Sequence, residues 1–243
     1  AGVDSSRLNL VGENWPRISC RGRNFQDSAG RFCGAVIEGQ RKNWVPDSED
    51  FAAASWGLYN VASSPASINA PADTVTASEI TATSTADTWH IFWQGLGGGA
   101  GQHATNSVYV KSGIWDYVML RGNNSTDSVQ FNVDDCSVTA ELGAAKGAAS
   151  RLGTAGSWCR VALTGMVNAQ YYIYVMESEI ADIPVCNADF NLCISDAAPD
   201  TVSVLVYLWG AQSEVKNHAY SSVQVSSYIP TYGSALTRAA EAP

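Results

Sequence analysis

Acidic residues that lie close together in the sequence are the first candidates for chemistry in this chain. They form three groups: Asp134 with Asp135, Glu177 with Glu179, and Asp182. Two carboxylates can act as the acid and base of a glycosidase, and carboxylate oxygens also bind calcium. A structural calcium ion at Asp134 and Asp135 is the one cofactor that the sequence suggests. Such residues are more often solvated loop acids, and we predict no catalytic residue among them.

Other patterns that could carry chemistry are incomplete. The glycine-rich run Gly95–Gly101 lacks the Gly-Lys-Ser/Thr of a phosphate-binding loop, and the residues after it have a strand pattern. We therefore predict a flexible loop between two strands. His90, His103 and His218 do not have metal-ligand spacing, and no G-x-S-x-G motif is present. The sequence thus predicts a protein that is not an enzyme.

Aromatic side chains give the strongest signal for ligand binding, because sugar rings stack on aromatic faces while nearby polar groups bond their hydroxyls. The chain contains 8 Trp and 10 Tyr. Strand alternation puts Trp115, Tyr117 and Arg121 on one face, and Tyr207 and Trp209 on one face of another strand. If these faces meet on one sheet, they form a glycan platform. The alternative is a place in the core or in a subunit interface.

The charge is unevenly distributed along the chain. Only 15% of the residues are charged, and the net charge is −9. Residues 1–42 carry seven Lys/Arg and four Asp/Glu, so the rest of the chain is strongly acidic. We predict that this basic segment is an anchoring arm that docks on an acidic surface. Its candidate anchoring residues are Arg7, Arg17, Arg21, Arg23 and Arg31. The acidic body argues against nucleic-acid binding.

The cysteine count permits three disulfides. The cysteines are Cys20, Cys33, Cys136, Cys159, Cys186 and Cys193. No two of them form a C-x-x-C pair, which argues against a zinc site. The simplest pairing joins sequence neighbours, as Cys20–Cys33, Cys136–Cys159 and Cys186–Cys193. The alternative is that some of them are buried free thiols.

Short β-prone runs separated by turn residues fill most of the chain. The predicted strands are 79–83, 88–94, 106–111, 114–121, 128–133, 157–164, 170–176 and 201–212. Before them, Ser48 is predicted to cap one or two helical turns. Strands at this spacing are typical of an all-β, two-sheet sandwich. We assign the sandwich to residues 43–220, between the extended N-terminal arm (1–42) and an extended C-terminal tail (221–243). Within the arm, a Cys20–Cys33 disulfide would close one short hairpin.

Several motifs resemble a jelly-roll module of bacteriophage structural and tail-associated proteins. They are S-E-D-F at 48–51 followed by Trp56, SVYVKSG at 107–113, TVSVLVYLWGAQ at 201–212 and SSYIPTYGSALTRAAE at 226–241. The resemblance extends over residues 43–241. It implies a jelly-roll sandwich similar to carbohydrate-binding, concanavalin-like domains, and a setting in a phage particle. It does not imply a particular ligand.

The expected function is that of a non-enzymatic virion structural protein, either a capsid decoration (cement) protein or a tail-associated component anchored by its arms. The alternative is a host-surface glycan-binding module, and a more distant one is a polysaccharide depolymerase. Expected partners are major capsid or tail proteins and further copies of the chain, for which a trimer is a reasonable guess. The glycan alternative adds cell-surface polysaccharide. We expect no membrane insertion. The expected location is the virion, an extracellular particle made in the host cytoplasm.

Overall fold

The described part of the chain consists of β-strands and their connections. A computed structural model describes residues 17–19, 34–36, 41–84, 90–122, 127–152, 157–176, 203–216, 226 and 228–238. The strands are β1 (Arg17–Ser19), β2 (Gly34–Val36), β3 (Arg41–Asn43), β4 (Trp56–Tyr59), β5 (Val61–Pro65), β6 (Ser78–Ala82), β7 (His90–Ser112), β8 (Tyr117–Gly122), β9 (Ser128–Asn132), β10 (Ser137–Leu142), β11 (Lys146–Arg151), β12 (Cys159–Met176), β13 (Val204–Lys216) and β14 (Leu236–Arg238). No helix that could cross a membrane occurs in these ranges.

The strands form two antiparallel sheets of six strands each, packed face to face as a β-sandwich. The first sheet has the order β4-β7-β12-β8-β9-β10, and the second has the order β5-β6-β13-β7-β12-β11. The long strands β7 and β12 belong to both sheets, because one half of each pairs in the first sheet and the other half in the second. The predicted all-β sandwich is confirmed.

The glycine-rich run lies inside β7 and not in a loop, so the loop prediction was wrong. Gly95 pairs with Gln170, and Ala100 pairs with Asn168. Five steps along β7 therefore match two steps along β12, and the extra residues form bulges where the strand passes from one sheet to the other. Glycine suits such a bend because it has no Cβ. The pairing partner is distant in sequence, so the local composition gave no sign of it.

Most predicted strands occur, but their number and bounds differ. The runs predicted at 157–164 and 170–176 form the single strand β12. Six strands were not predicted, namely β3, β4, β5, β10, β11 and β14. The helical turn predicted at Ser48 is absent, and residues 46–49 form bends. The Ser48 hydroxyl instead accepts a hydrogen bond from the Thr231 amide at 2.8 Å, far along the chain.

The core lies between the two sheets and is built from alternate strand residues. Phe92, Leu120, Phe131 and Ile173 are fully buried there. Phe51, in the S-E-D-F motif, stacks on the Trp56 ring with 4.8 Å between the centroids. Burying one such side chain stabilises the fold by about 2 to 3 kcal/mol. The inward positions also fix which residues face outward, since strand neighbours point to opposite faces.

A disulfide joins Cys136 to Cys159, as predicted, with 5.5 Å between the Cα atoms. Cys136 has a φ of 53° in the turn after β9, and Cys159 begins β12 in the second sheet. The disulfide therefore links the two sheets. The remaining cysteines, Cys20, Cys33, Cys186 and Cys193, lie outside the described residues, and their pairing stays a prediction.

Two short ribbons accompany the sandwich. β1 pairs with β2, with Ser19 opposite Gly34. β3 pairs with β14, with Arg41 opposite Arg238. The proposed domain limits at residues 42 and 220 stay predictions, although this second ribbon joins residues 41–43 to the predicted tail.

Replacing both Cys136 and Cys159 with serine should lower the free energy of unfolding by about 3 kcal/mol, because the unfolded chain is no longer cross-linked across this loop. Denaturant titration of the wild type and the variant under oxidising conditions measures the loss. The same comparison under reducing conditions is the control, where the difference should disappear. A loss that persists in reductant would mean that packing of the two side chains, and not the cross-link, is responsible.

Candidate functional site

The five residues of the predicted glycan platform do not come together. Trp115 is buried in the core, with its ring edge-on to the His90 ring at 5.0 Å. Tyr117 and Arg121 lie on the outer face of the first sheet, since their neighbours Val118 and Leu120 point into the core. Tyr207 and Trp209 lie on the outer face of the second sheet. The residues thus divide among three separate clusters.

The outer face of the first sheet carries a different set of aromatic residues. We call it the outer aromatic face, and its members are Gly57, Tyr59, Trp93, Tyr117, Arg121 and Tyr172. Gly57 lies opposite Trp93, and the indole packs so closely on it that a methyl group at Gly57 would collide with the ring. Trp93 is half-buried, and Tyr59 is 50% exposed. A glycine thus lets an indole ring lie against the sheet.

Tyrosine and arginine side chains continue this face beside Trp93. Tyr172 pairs with Trp93 on one side and with Arg121 on the other. The Arg121 guanidinium lies 5.9 Å from the Tyr172 ring centre, and its Nη1 donates to the Tyr174 hydroxyl at 3.1 Å. Burial raises the pKa of Tyr174, and the Arg121 charge opposes that rise. Burial likewise raises the pKa of Tyr172. Both tyrosines therefore stay neutral at physiological pH.

Sequence reasoning missed Trp93, Tyr172 and Gly57 as members of one face. The run QYYIYVM at 170–176 does contain a usable signal, because alternation places Tyr172 and Tyr174 on the same side. Nothing in the sequence tells which side faces outward or which strand lies beside it. That information comes from the pairing of β12 with β7 and β8, which are distant in the chain.

The aromatic residues of the second sheet are covered by other parts of the chain. Trp209 is 1% exposed and packs against Tyr228 and Tyr109, with ring centroids 4.5 and 5.3 Å away. Its indole N–H donates to the Thr76 hydroxyl at 2.9 Å. Residues 66–77 and the tail supply this cover, so Trp209 is a packing residue and is closed to a ligand.

The tail binds back onto the sandwich through a buried asparagine. The Asn43 side chain is fully buried and makes four hydrogen bonds. Its Nδ2 donates to the Ala211 and Ile229 carbonyls at 3.1 and 2.8 Å, and its Oδ1 accepts from the Ser213 and Val45 amides at 3.0 and 3.1 Å. We call the joined residues 43–48, 211–214, 226 and 228–231 the terminal clasp. All the hydrogen-bonding capacity of the amide is satisfied within it.

Hydroxyl groups and one carboxylate strengthen the clasp. The Thr231 hydroxyl donates to the Val45 carbonyl at 2.7 Å, and the Tyr228 hydroxyl lies 2.6 Å from the Ser48 hydroxyl. Tyr228 donates to Glu49 at 3.2 Å. Burial raises the pKa of Glu49, while hydrogen bonds from Tyr228, Thr76, Trp209 and Tyr232 oppose the rise. The helix cap predicted at Ser48 gave no sign that the neighbouring Glu49 helps to hold the tail.

A buried carboxylate connects the arm, the sandwich and the tail. Glu214 is 2% exposed. Its Oε1 accepts hydrogen bonds from the side-chain Nε2 of Gln212 and from the Ser226 hydroxyl, each at 2.5 Å. Its other oxygen lies 3.4 Å from the Arg41 Nε. A buried carboxylate needs such partners, since an unpaired buried charge is strongly destabilising. The C-terminal end of the predicted arm is therefore fixed to β13 by charge.

The structure describes both residues of the predicted calcium site but only one of the candidate anchoring arginines. Asp134 and Asp135 are exposed in a turn, where the Asn132 side chain accepts from the Asp135 amide at 3.0 Å. Across the described ranges, no three Asp, Glu, His or Cys residues gather in a way that could hold a metal ion. Of the candidate anchoring arginines, Arg17 lies in β1. The others, Arg7, Arg21, Arg23 and Arg31, fall outside the described residues.

No protein-family model matches this chain, and no curated protein matches it.

His90 makes stability depend on pH. The residue is fully buried, and burial lowers the pKa of its imidazole below the ordinary value of 6.5, while a backbone hydrogen bond with Ser84 opposes this. The folded state therefore keeps His90 neutral, whereas the unfolded chain binds a proton below about pH 6.5. The contribution of the neutral, buried His90 to the free energy of unfolding is therefore present above about pH 6.5. It is lost as the pH falls below that value, because only the unfolded chain gains the proton.

Replacing His90 with glutamine should remove this part of the acid sensitivity. The wild-type free energy of unfolding, measured by denaturant titration, should fall between about pH 8 and about pH 5, and the variant should show a smaller fall. His103→Gln, on the same strand but only half-buried, is the matched control and should keep the wild-type fall. Equal slopes for the wild type and His90→Gln would refute the assignment.

Proposed function

We propose that this chain is a non-enzymatic structural protein of a bacteriophage particle, held on the capsid or tail apparatus by its terminal segments. The observation that carries the proposal is the terminal clasp. It joins the segments around S-E-D-F and SSYIPTYGSALTRAAE, which are two of the motifs that resemble phage modules. Arg41 also lies opposite Arg238, so the last residues of the predicted arm lie beside the predicted tail. A module tethered at one place keeps the rest of its surface free.

Binding to particles that lack this protein tests the proposal. The full chain should sediment with such particles in a saturable manner, and a chain without residues 1–40 should stay in solution with its sandwich folded. The deletion stops at residue 40 because Arg41 pairs with the buried Glu214. Replacing the five candidate anchoring arginines with glutamine separates the effect of charge from that of length. Saturable binding by the truncated chain would contradict anchoring by the arm, and no binding by the full chain would contradict the virion role.

A second candidate function is recognition of a cell-surface glycan by the outer aromatic face. The specific observation in its favour is the packing of Trp93 on Gly57, which fixes the orientation of the ring. Stacking on a fixed aromatic ring favours binding because little conformational freedom is lost. The half-buried ring of Tyr172 lies beside it, opposite Trp93 in the register. None of the described strand residues on this face is an Asp or Glu, whereas the depolymerase alternative needs two carboxylates.

A glycine-to-alanine substitution tests the glycan candidate with minimal disturbance. Gly57→Ala should displace the indole and weaken binding of purified host polysaccharide at least about tenfold, a difference of about 1.4 kcal/mol. Affinity measured by calorimetry for the wild type, Gly57→Ala and Trp93→Ala gives the comparison. Tyr232→Ala removes an exposed aromatic ring outside the face and is the matched control. Polysaccharide binding that both face variants retain would exclude this surface as the receptor site.

A further inference from the structure

Two polar side chains lie inside the core, at the end of the first sheet where β7 bends towards the second sheet. Gln94 of β7 lies opposite Tyr171 of β12, and their exposed fractions are 1% and 0%. Phe92 and Ile173, two residues away along each strand, belong to the core. Because strand residues alternate between faces, Gln94 and Tyr171 point into the core as well.

The polar atoms of this pair have no hydrogen-bond partner among the described residues. They are the Oε1 and Nε2 of the Gln94 amide and the hydroxyl of Tyr171, and all three atoms are buried. The amide can donate two hydrogen bonds and accept two, and the hydroxyl can both donate and accept. A buried polar group without a partner destabilises the folded state, so these atoms need a partner of another kind.

The neighbours of the pair in the sheet register offer it no polar side chain. Trp56 lies opposite Gln94 on the other side, and its ring centre is 6.2 Å from that of Tyr171. The indole N–H of Trp56 already donates to the Asp47 carbonyl at 2.8 Å. Gly122 lies opposite Tyr171 on the far side and has no side chain. The partner must therefore be small enough to enter a packed core, and it must both donate and accept hydrogen bonds.

We propose that an ordered water molecule binds in the core between the Gln94 amide and the Tyr171 hydroxyl. Buried waters typically make about three hydrogen bonds to polar groups that lack other partners. Tyrosine is the longer side chain, so its hydroxyl reaches further from the sheet than the amide, and a water bridges the two. Burial raises the pKa of Tyr171, while the Arg160 charge opposes the rise, so the hydroxyl keeps its proton as a donor.

The bend of β7 places this water at a corner of the sandwich. Gln94 and Tyr171 follow directly on the pair of Gly95 and Gln170, beyond which the register of the two strands shifts. The extra residue of a bulge is left unpaired in the ladder, and buried backbone groups that lack protein partners bind ordered water. The water thus stabilises the bend by which one strand serves both sheets. This inference concerns the fold and does not depend on the proposed virion role.

NMR spectroscopy of the full chain tests for the water directly. The side-chain amide protons of Gln94 should show a cross-peak to water with the sign of a long-lived contact. The Asn43 side-chain amide is the matched control and should show none, since it is equally buried but donates to the Ala211 and Ile229 carbonyls. Absence of the cross-peak at Gln94 overturns the proposal, as does a cross-peak of equal strength at Asn43.

Removing the tyrosine hydroxyl gives a second test, whose sign separates a hydrated pair from an unpaired one. Tyr171→Phe deletes a partner of the water, so the equilibrium constant for unfolding, measured by denaturant titration, should rise about fivefold. A hydroxyl without any partner would give the opposite sign, because its removal relieves a buried polar group. A Tyr171→Phe variant that is as stable as the wild type, or more stable, therefore overturns the proposal.

A double variant tests whether the two side chains share one water. Gln94→Met combined with Tyr171→Phe should lower stability little more than either change alone, because the first change already releases the water. Denaturant titration of the wild type, both single variants and the double variant completes the cycle. Losses that simply add would mean that the two groups act separately, which also overturns the proposal.

Discussion

The buried side chain of Asn43 is the interaction on which the arrangement of the chain ends depends. β6 pairs with β13 only between Val204 and Leu208, so the following part of that edge needs other partners. Asn43 bonds to both Ala211 and Ser213 there, and the Trp44 amide donates to the Ser213 carbonyl at 2.9 Å. Buried backbone groups without partners would each cost about 1 to 3 kcal/mol. One short segment thus completes the sheet edge and provides the binding site for the tail.

Secondary structure was predictable from sequence wherever local alternation and turn residues determine it. The strand around residues 128–133 and the final strand around 201–212 both occur at nearly their predicted places. β11 was not predicted because KGAASR contains small and charged residues and no strong β-former. β10 was missed although SVTAEL alternates polar and apolar residues and contains Val138 and Thr139. The bend inside β7 was misinterpreted because glycine is common in loops and also in bulges, and only the pairing with β12 distinguishes them.

The candidate sites were predictable to a smaller extent, because they depend on how distant strands pair. The sequence correctly suggested that aromatic residues share strand faces, and Tyr117 and Arg121 do so. It could not show that Trp115 points into the core while Trp93 points outward on a neighbouring strand. The role of Glu49 was equally hidden, because its partner Tyr228 is 179 residues away. The Cys136–Cys159 disulfide was predicted correctly by pairing cysteines that follow each other in the sequence. That pairing holds here because the turn containing Cys136 lies against the start of β12, where Cys159 is located.

The arrangement separates two surfaces that could act independently. The terminal clasp and the β3–β14 ribbon occupy the edge of β13 in the second sheet, where the tail returns. The outer aromatic face lies on the first sheet, on the other side of the core. Anchoring by the chain ends would therefore leave Tyr59, which is 50% exposed on that face, in contact with solvent. This separation fits a particle protein whose attachment and recognition surfaces differ, in keeping with both proposed functions.

Hydrogen exchange of the clasp amides, measured residue by residue, tests the central role of Asn43 most directly. The amides of Ala211, Ser213, Ile229 and Thr231 all donate within the clasp. If the clasp is an integral part of the fold, they will exchange as slowly as the paired amides of β12, through global unfolding. Rapid exchange of these four amides while β12 stays protected would mean that the tail detaches from an independently stable sandwich, which contradicts the account.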